Sequence, residues 1–233
     1  MKKILNTSFY SKVFIAIIGS FMVLSCNEFL DVDTDKDSPT VAPTAEILPN
    51  IMVTFSSQNE WNNFSANILS TYTHQSTFRE EQDQYGVKAN NTSMNNEWNY
   101  VYLALTDIET LIAQASADGD LVYLGIVQLL KAQMVSVAVD LWGDIPYSEA
   151  TQLENSIVSP VFDDQEEVYG KLLALIDAGK ANVSSGQGST PSNNDLIYGG
   201  DVTKWVKFAN TVKLKLMNQL RSRQTTTYIS ISK

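Results

Sequence analysis

From Thr44 onward, apolar residues recur at three- and four-residue steps, the spacing that puts side chains on one face of an α-helix. A first helix is predicted from Thr44, as cap, to about Ser56, with Pro49 late in its opening turn. A second run aligns Trp61, Phe64, Ile68 and Tyr72. The period is then lost across the polar stretch 74–92. A third helix starts near Ser93 and carries Trp98, Val101, Tyr102, Leu105, Ile108, Ile112 and Ala115 until "ADGD" at 117–120 breaks it. The fourth run, 121–143, is apolar almost all round, as in a helix enclosed by neighbours. Gln128, Lys131, Gln133 and Asp140 within it argue against a membrane span.

Gly143 and Pro146 stop that helix. Asp164 and Glu167 have capping-box spacing for a fifth helix, with Phe162 and Val168 placed for a contact across the cap and Leu172, Leu173, Leu175 and Ile176 on its buried face. "SSGQGSTPSNN", 184–194, is a loop by composition. A sixth helix from about Asp201 aligns Trp205, Ala209, Val212, Leu216 and Leu220 and bears Lys204, Lys207, Lys213, Lys215, Arg221 and Arg223. Those cations suit either a solvated helix or a basic docking face. Six helices joined in pairs predict an all-α solenoid or bundle.

The first 25 residues read as a secretory signal: Lys2, Lys3 and Lys12 precede a twelve-residue apolar run, Val13 to Leu24, that is short of the roughly 20 residues a membrane helix needs. Val23-Leu24-Ser25-Cys26 resembles the bacterial lipobox, with Val in place of the usual Leu. On that reading Cys26, the chain's sole cysteine, is the lipidated first residue of the mature protein, and attachment rather than a disulfide is its chemistry. The alternative is a signal peptide followed by an unrelated cysteine. Residues 26–43 form an acidic tether, kept extended by Pro39 and Pro43. Its alternating aspartates, 31 to 37, start like a calcium loop, but Lys36 stands where Gly is needed and Ala42 where Glu is needed.

Removing 25 of 233 residues leaves 208, enough for one sizeable core, and takes away three basic residues and no acidic one. The formal charge therefore deepens from −10 to −13, which disfavours nucleic acid as a partner.

Three segments in order, "SCNEFLDVDTD" (25–35), "AVDLWGDIPYSEA" (138–150) and "DLIYGGDVTKWVKFANTVKLKLMNQLRSR" (195–223), together resemble the SusD/RagB family of Bacteroidota outer-membrane lipoproteins. "EWNYVYLALTDIETLI" (97–112) fits the same family's W-x-x-x-Y helix. The resemblance implies tetratricopeptide-like helix pairs over 44–223, no enzymatic activity and no cofactor. It also implies capture of a glycan or other nutrient at the cell surface, beside a TonB-dependent, SusC-like transporter in the outer membrane. Family members are about twice as long, so a truncated or frameshifted product is expected, with 224–233 an atypical tail.

Sugar recognition needs aromatic faces and planar polar groups, since a hydroxyl buried unpaired costs roughly 1–3 kcal/mol. Phe78, Arg79, Glu80, Gln84, Tyr85 and Asn91 supply both in a non-helical segment, and are the candidate ligand residues; the alternative is a plain surface loop. Trp98, Trp142, Trp205 and Tyr147 lie in helix patterns or family motifs, where core packing is expected. His74 is the single histidine, so neither a metal cluster nor a histidine-based triad is signalled. A glycosidase would require two opposed carboxylates, and the adjacent pairs Glu80–Glu81 and Asp163–Asp164 do not announce them. A helical docking scaffold without a ligand site is the other alternative.

Overall fold

Helices dominate the computed structural model, which describes residues 42–58, 69–77 and 95–221. They are α1 (Thr44–Gln58), α2 (Asn95–Asp118), α3 (Leu121–Trp142), α4 (Gln165–Ser185) and α5 (Val202–Leu220). Among the described residues β-structure is limited to one antiparallel bridge, Ile145 with Asp163. The all-α expectation is met. Of the predicted second helix, Trp61, Phe64 and Ile68 lie outside the described residues, while 69–72 form a helical turn that half-buries Tyr72.

α3 is the centre because no face of it is polar enough for water. Fourteen of its residues are buried, and it packs on α1, α2, α4 and α5. Each large apolar side chain enclosed this way contributes about 1.5–3 kcal/mol. By length and composition α3 could cross a bilayer, yet its polar groups are satisfied by neighbouring helices. Lys131 pairs with Glu109 of α2, the Gln128 side chain accepts from Asn182 of α4 (2.9 Å), and Asp140 accepts from the Tyr169 hydroxyl.

The tight packing of α3 on α4 depends on two glycines, Gly125 and Gly179. A Cβ on Gly125 would lie 2.5 Å from Val183 Cγ2 and 2.6 Å from the Gly179 carbonyl oxygen. Only hydrogen fits there.

Helix ends follow local chemistry. α1 opens on Thr44, with the Pro43 carbonyl accepting from the amides of Glu46 (2.9 Å) and Ile47 (3.2 Å), and it continues through Pro49. Asp164 caps α4 by accepting from the amides of Glu166 (2.9 Å) and Glu167 (3.3 Å), as the capping-box spacing predicts. Phe162 departs from the expected contact across that cap: it is 64% exposed and stacks on Trp98, with ring centroids 6.4 Å apart. The 184–194 loop begins later than predicted, because α4 runs to Ser185 before Gly186 takes the left-handed conformation (φ 64°).

Two lysines of α5 pair with neighbouring helices and a third with the helix's own cap. Lys213 bonds both oxygens of Asp177 (2.7 and 2.8 Å), Lys215 lies 3.7 Å from Asp140, and Lys204 lies 3.6 Å from Asp201. Two of the cations that suggested a docking face, Lys213 and Lys215, thus bond α5 to α4 and α3.

Candidate functional site

Between α3 and α4 the chain leaves the core at Gly143 (φ 77°) and returns at Asp164, and this excursion carries the motif "LWGDIPYSEA". Its polar residues hold the outgoing and returning strands together. Asp163 is the hub: Oδ2 accepts from the amides of Tyr147 (2.9 Å) and Ser148 (2.8 Å), and Oδ1 accepts from Lys171 Nζ (2.9 Å). Burial opposes ionisation of Asp163, but the hydrogen bonds from Ser148, Lys171 and Tyr147 outweigh it and hold the carboxyl well below the usual carboxylate range. Asp144 accepts from the Gln165 amide (2.9 Å) and Glu149 from the Val161 amide (2.9 Å). Asp163 and Asp164 are therefore both engaged in structure, one pinning the loop and the other capping α4. Neither is disposed as a free acid or base.

Tyr147 sits where this loop meets the helices. Lys131 and Lys171 place their ammonium groups 5.1 and 5.8 Å from its ring centroid. Burial, with Glu109 and Asp163 adding negative potential, pushes its phenol up to about 12. A cavity of about 320 Å³ opens beside it, lined chiefly by Glu109, Lys131, Tyr147, Ser148, Thr151 and Gln152. Sequence reasoning assigned Tyr147 to packing and passed over the others. The periodicity of α2 and α3 gives no sign that Glu109 and Lys131 face each other across the helix pair.

An aromatic cluster borders the same excursion. Trp98 meets Tyr102 at 4.8 Å and Trp142 edge-on at 5.2 Å, while the Tyr102 hydroxyl donates to the Pro146 carbonyl (3.0 Å). Both tryptophans are half-buried and act as packing, as expected, with Phe162 as their exposed rim.

A second hub explains the other motif, "DLIYGGDVTKW". Asp195 is buried; its Oδ1 accepts from the amides of Ile197 and Tyr198 (3.0 Å each), and its Oδ2 accepts from the Gly200 amide and Trp205 Nε1 (2.7 Å each). Gly200 is required twice over: its φ is 81°, and a Cβ would come within 1.9 Å of the Pro191 carbonyl oxygen. Asp201 then caps α5, accepting from the Lys204 amide (3.1 Å). Trp205 is fully enclosed, so its role is scaffold.

Cys26 and the predicted ligand residues Phe78, Arg79, Glu80, Gln84, Tyr85 and Asn91 lie outside the described residues. The structure therefore brings together a different set, that of the 320 Å³ cavity.

Residues 36–229 match a family model, SusD-like_2, described as "Starch-binding associating with outer membrane". The fold is similar to a SusD/RagB family protein of Bacteroides thetaiotaomicron, at 23% identity and TM-score 0.69 over 79% of this chain and 40% of that one. It is also similar to a SusD homologue of Bacteroides fragilis (20%, TM-score 0.62, covering 81% and 38%). A third is a chitin-binding SusD homologue of Flavobacterium johnsoniae (20%, TM-score 0.58, covering 76% and 39%). The chain spans about two fifths of the length of these relatives. No curated protein matches it.

Proposed function

Because the chain belongs to the SusD-like family described as starch-binding in association with the outer membrane, we propose that it captures a glycan at the cell surface, tethered by lipid on Cys26, and passes it to a SusC-like TonB-dependent transporter. The family match over 36–229 carries this reading. Its principal ligand contacts are Phe78, Arg79, Glu80, Gln84, Tyr85 and Asn91, which combine ring faces with planar polar groups ahead of α2. The helical core over 44–223 supports them, and the tether 26–43 spaces the body from the membrane. The negative net charge favours neutral over polyanionic ligands.

Soluble starch and chitin oligosaccharides are the first probes, since the family description names starch and a structurally similar protein is chitin-binding. Retention of one of them without release of reducing ends, lost on Arg79→Ala with Tyr85→Ala, is the expected result. Release of reducing ends would instead identify a glycosidase. Failure to retain any polysaccharide while a barrel protein still co-purifies would identify a docking scaffold. Cys26→Ala is expected to abolish recovery in the outer-membrane fraction, and unchanged fractionation would overturn the anchor.

A further inference from the structure

We propose that the cavity between α2, α3 and the "PYSEA" turn is a second binding site, separate from the 78–91 segment, and that it takes a single neutral sugar ring. Its size, about 320 Å³, is at the lower end of the roughly 300–1,000 Å³ of small-molecule sites, which suits one ring rather than a chain. Its lining is polar and self-neutralising. Lys131, with only 14% of its side chain exposed, is paired with Glu109 through Oε1 and stands over the Tyr147 ring. Among the described residues the other Glu109 oxygen and the Tyr147 hydroxyl take no hydrogen bond.

That inventory discriminates between ligand chemistries. A carboxylate would have to compete with Glu109 for a Lys131 ammonium that is largely enclosed, and would stand beside the Glu109 charge, whose side chain is 41% exposed. A sugar hydroxyl both donates and accepts, so it can donate to the free Glu109 oxygen and accept from Lys131 or Tyr147 with the pair intact. Gln152, whose Nε2 donates to the Ser148 carbonyl (2.7 Å), brings an amide to the same wall. Thr151 adds an independent sign. It is β-branched yet held at φ 60°, a left-handed conformation that costs free energy and that concentrates at ligand clamps.

The choice of a sugar accords with the proposed function, but the site itself rests on this geometry. The test is a titration of tyrosine-ring-¹³C-labelled protein with methyl α-D-glucopyranoside, with the Tyr147 signal identified by its loss in Tyr147→Phe. The glucoside is expected to move the Tyr147 signal, and Glu109→Gln and Gln152→Ala are each expected to weaken the response about tenfold, as loss of a hydrogen bond implies. Movement confined to other tyrosines, an unaltered response in both variants, or movement with glycine and none with the glucoside would overturn the inference. Polysaccharide retention read on the same protein separates the two proposals. Retention with a silent Tyr147 sinks the cavity alone, and a responsive Tyr147 without retention sinks the glycan-capture reading alone.

Discussion

Replacing Asp195 tests how the chain enters α5. The carboxylate satisfies four N–H groups, of which Trp205 Nε1 belongs to a fully enclosed side chain and the Gly200 amide sits in a turn pressed against Pro191. Asp195→Ala orphans both donors on Oδ2, and at about 1–3 kcal/mol for each buried unpaired group the loss is about 2–6 kcal/mol. Against a typical domain stability of about 5–15 kcal/mol this is a large fraction. Asp195→Asn preserves shape but replaces one acceptor oxygen with an NH₂, so whichever way the amide turns it points a donor at a donor pair; about 1–3 kcal/mol is lost. Adding Trp205→Phe to Asp195→Ala removes the orphaned indole N–H, so the double variant is expected to lose less than the sum of the single losses. Urea unfolding followed by far-ultraviolet circular dichroism measures the parent, the Asp195→Ala, Asp195→Asn and Trp205→Phe variants, and the double variant. An Asp195→Asn variant within about 0.5 kcal/mol of the parent, the range of ordinary surface substitutions, would refute the reasoning.

Two further tests follow from the helix contact and the motif loop. Gly125→Ala is expected to destabilise by about 1–3 kcal/mol, because its methyl group would meet Val183 and the backbone of α4, whereas Gly170→Ala, on the exposed face of the same α4 with open space around its Cβ, is expected to stabilise by about 0.5–1 kcal/mol. Thermal melts rank the pair, and equal effects would contradict the close approach. Asp163 has a lowered folded-state pKa, so its contribution to stability is full above the ordinary carboxylate pKa of about 3.9 and is lost as pH falls through the folded value. Asp163→Asn should thus be less stable near neutrality and show a shallower loss in acid than the parent; parallel urea midpoints against pH in the two proteins would disprove that assignment.

Particular residues show how far the sequence could be read. Trp98, Val101, Leu105, Ile108 and Ala115 proclaimed α2 by spacing alone, and the uninterrupted apolar run 121–143 announced that α3 would lie inside the bundle. Asp164 and Asp201 marked helix starts through an acceptor side chain beside orphan amides. These features depend on contacts within one helical turn or on the amount of apolar surface to be hidden, so local chemistry determines them. The pairing of Lys131 with Glu109, the grip of Asp163 on Tyr147 and Ser148, and the enclosure of Trp205 over Asp195 join residues 10 to 22 positions apart. A charge or a hydroxyl has many affordable partners in an unfolded chain, and periodicity cannot choose among them. Only once α3 is surrounded does burial make each unpaired group costly, and that penalty selects the partners, shapes the cavity and fixes the two motifs as structural hubs.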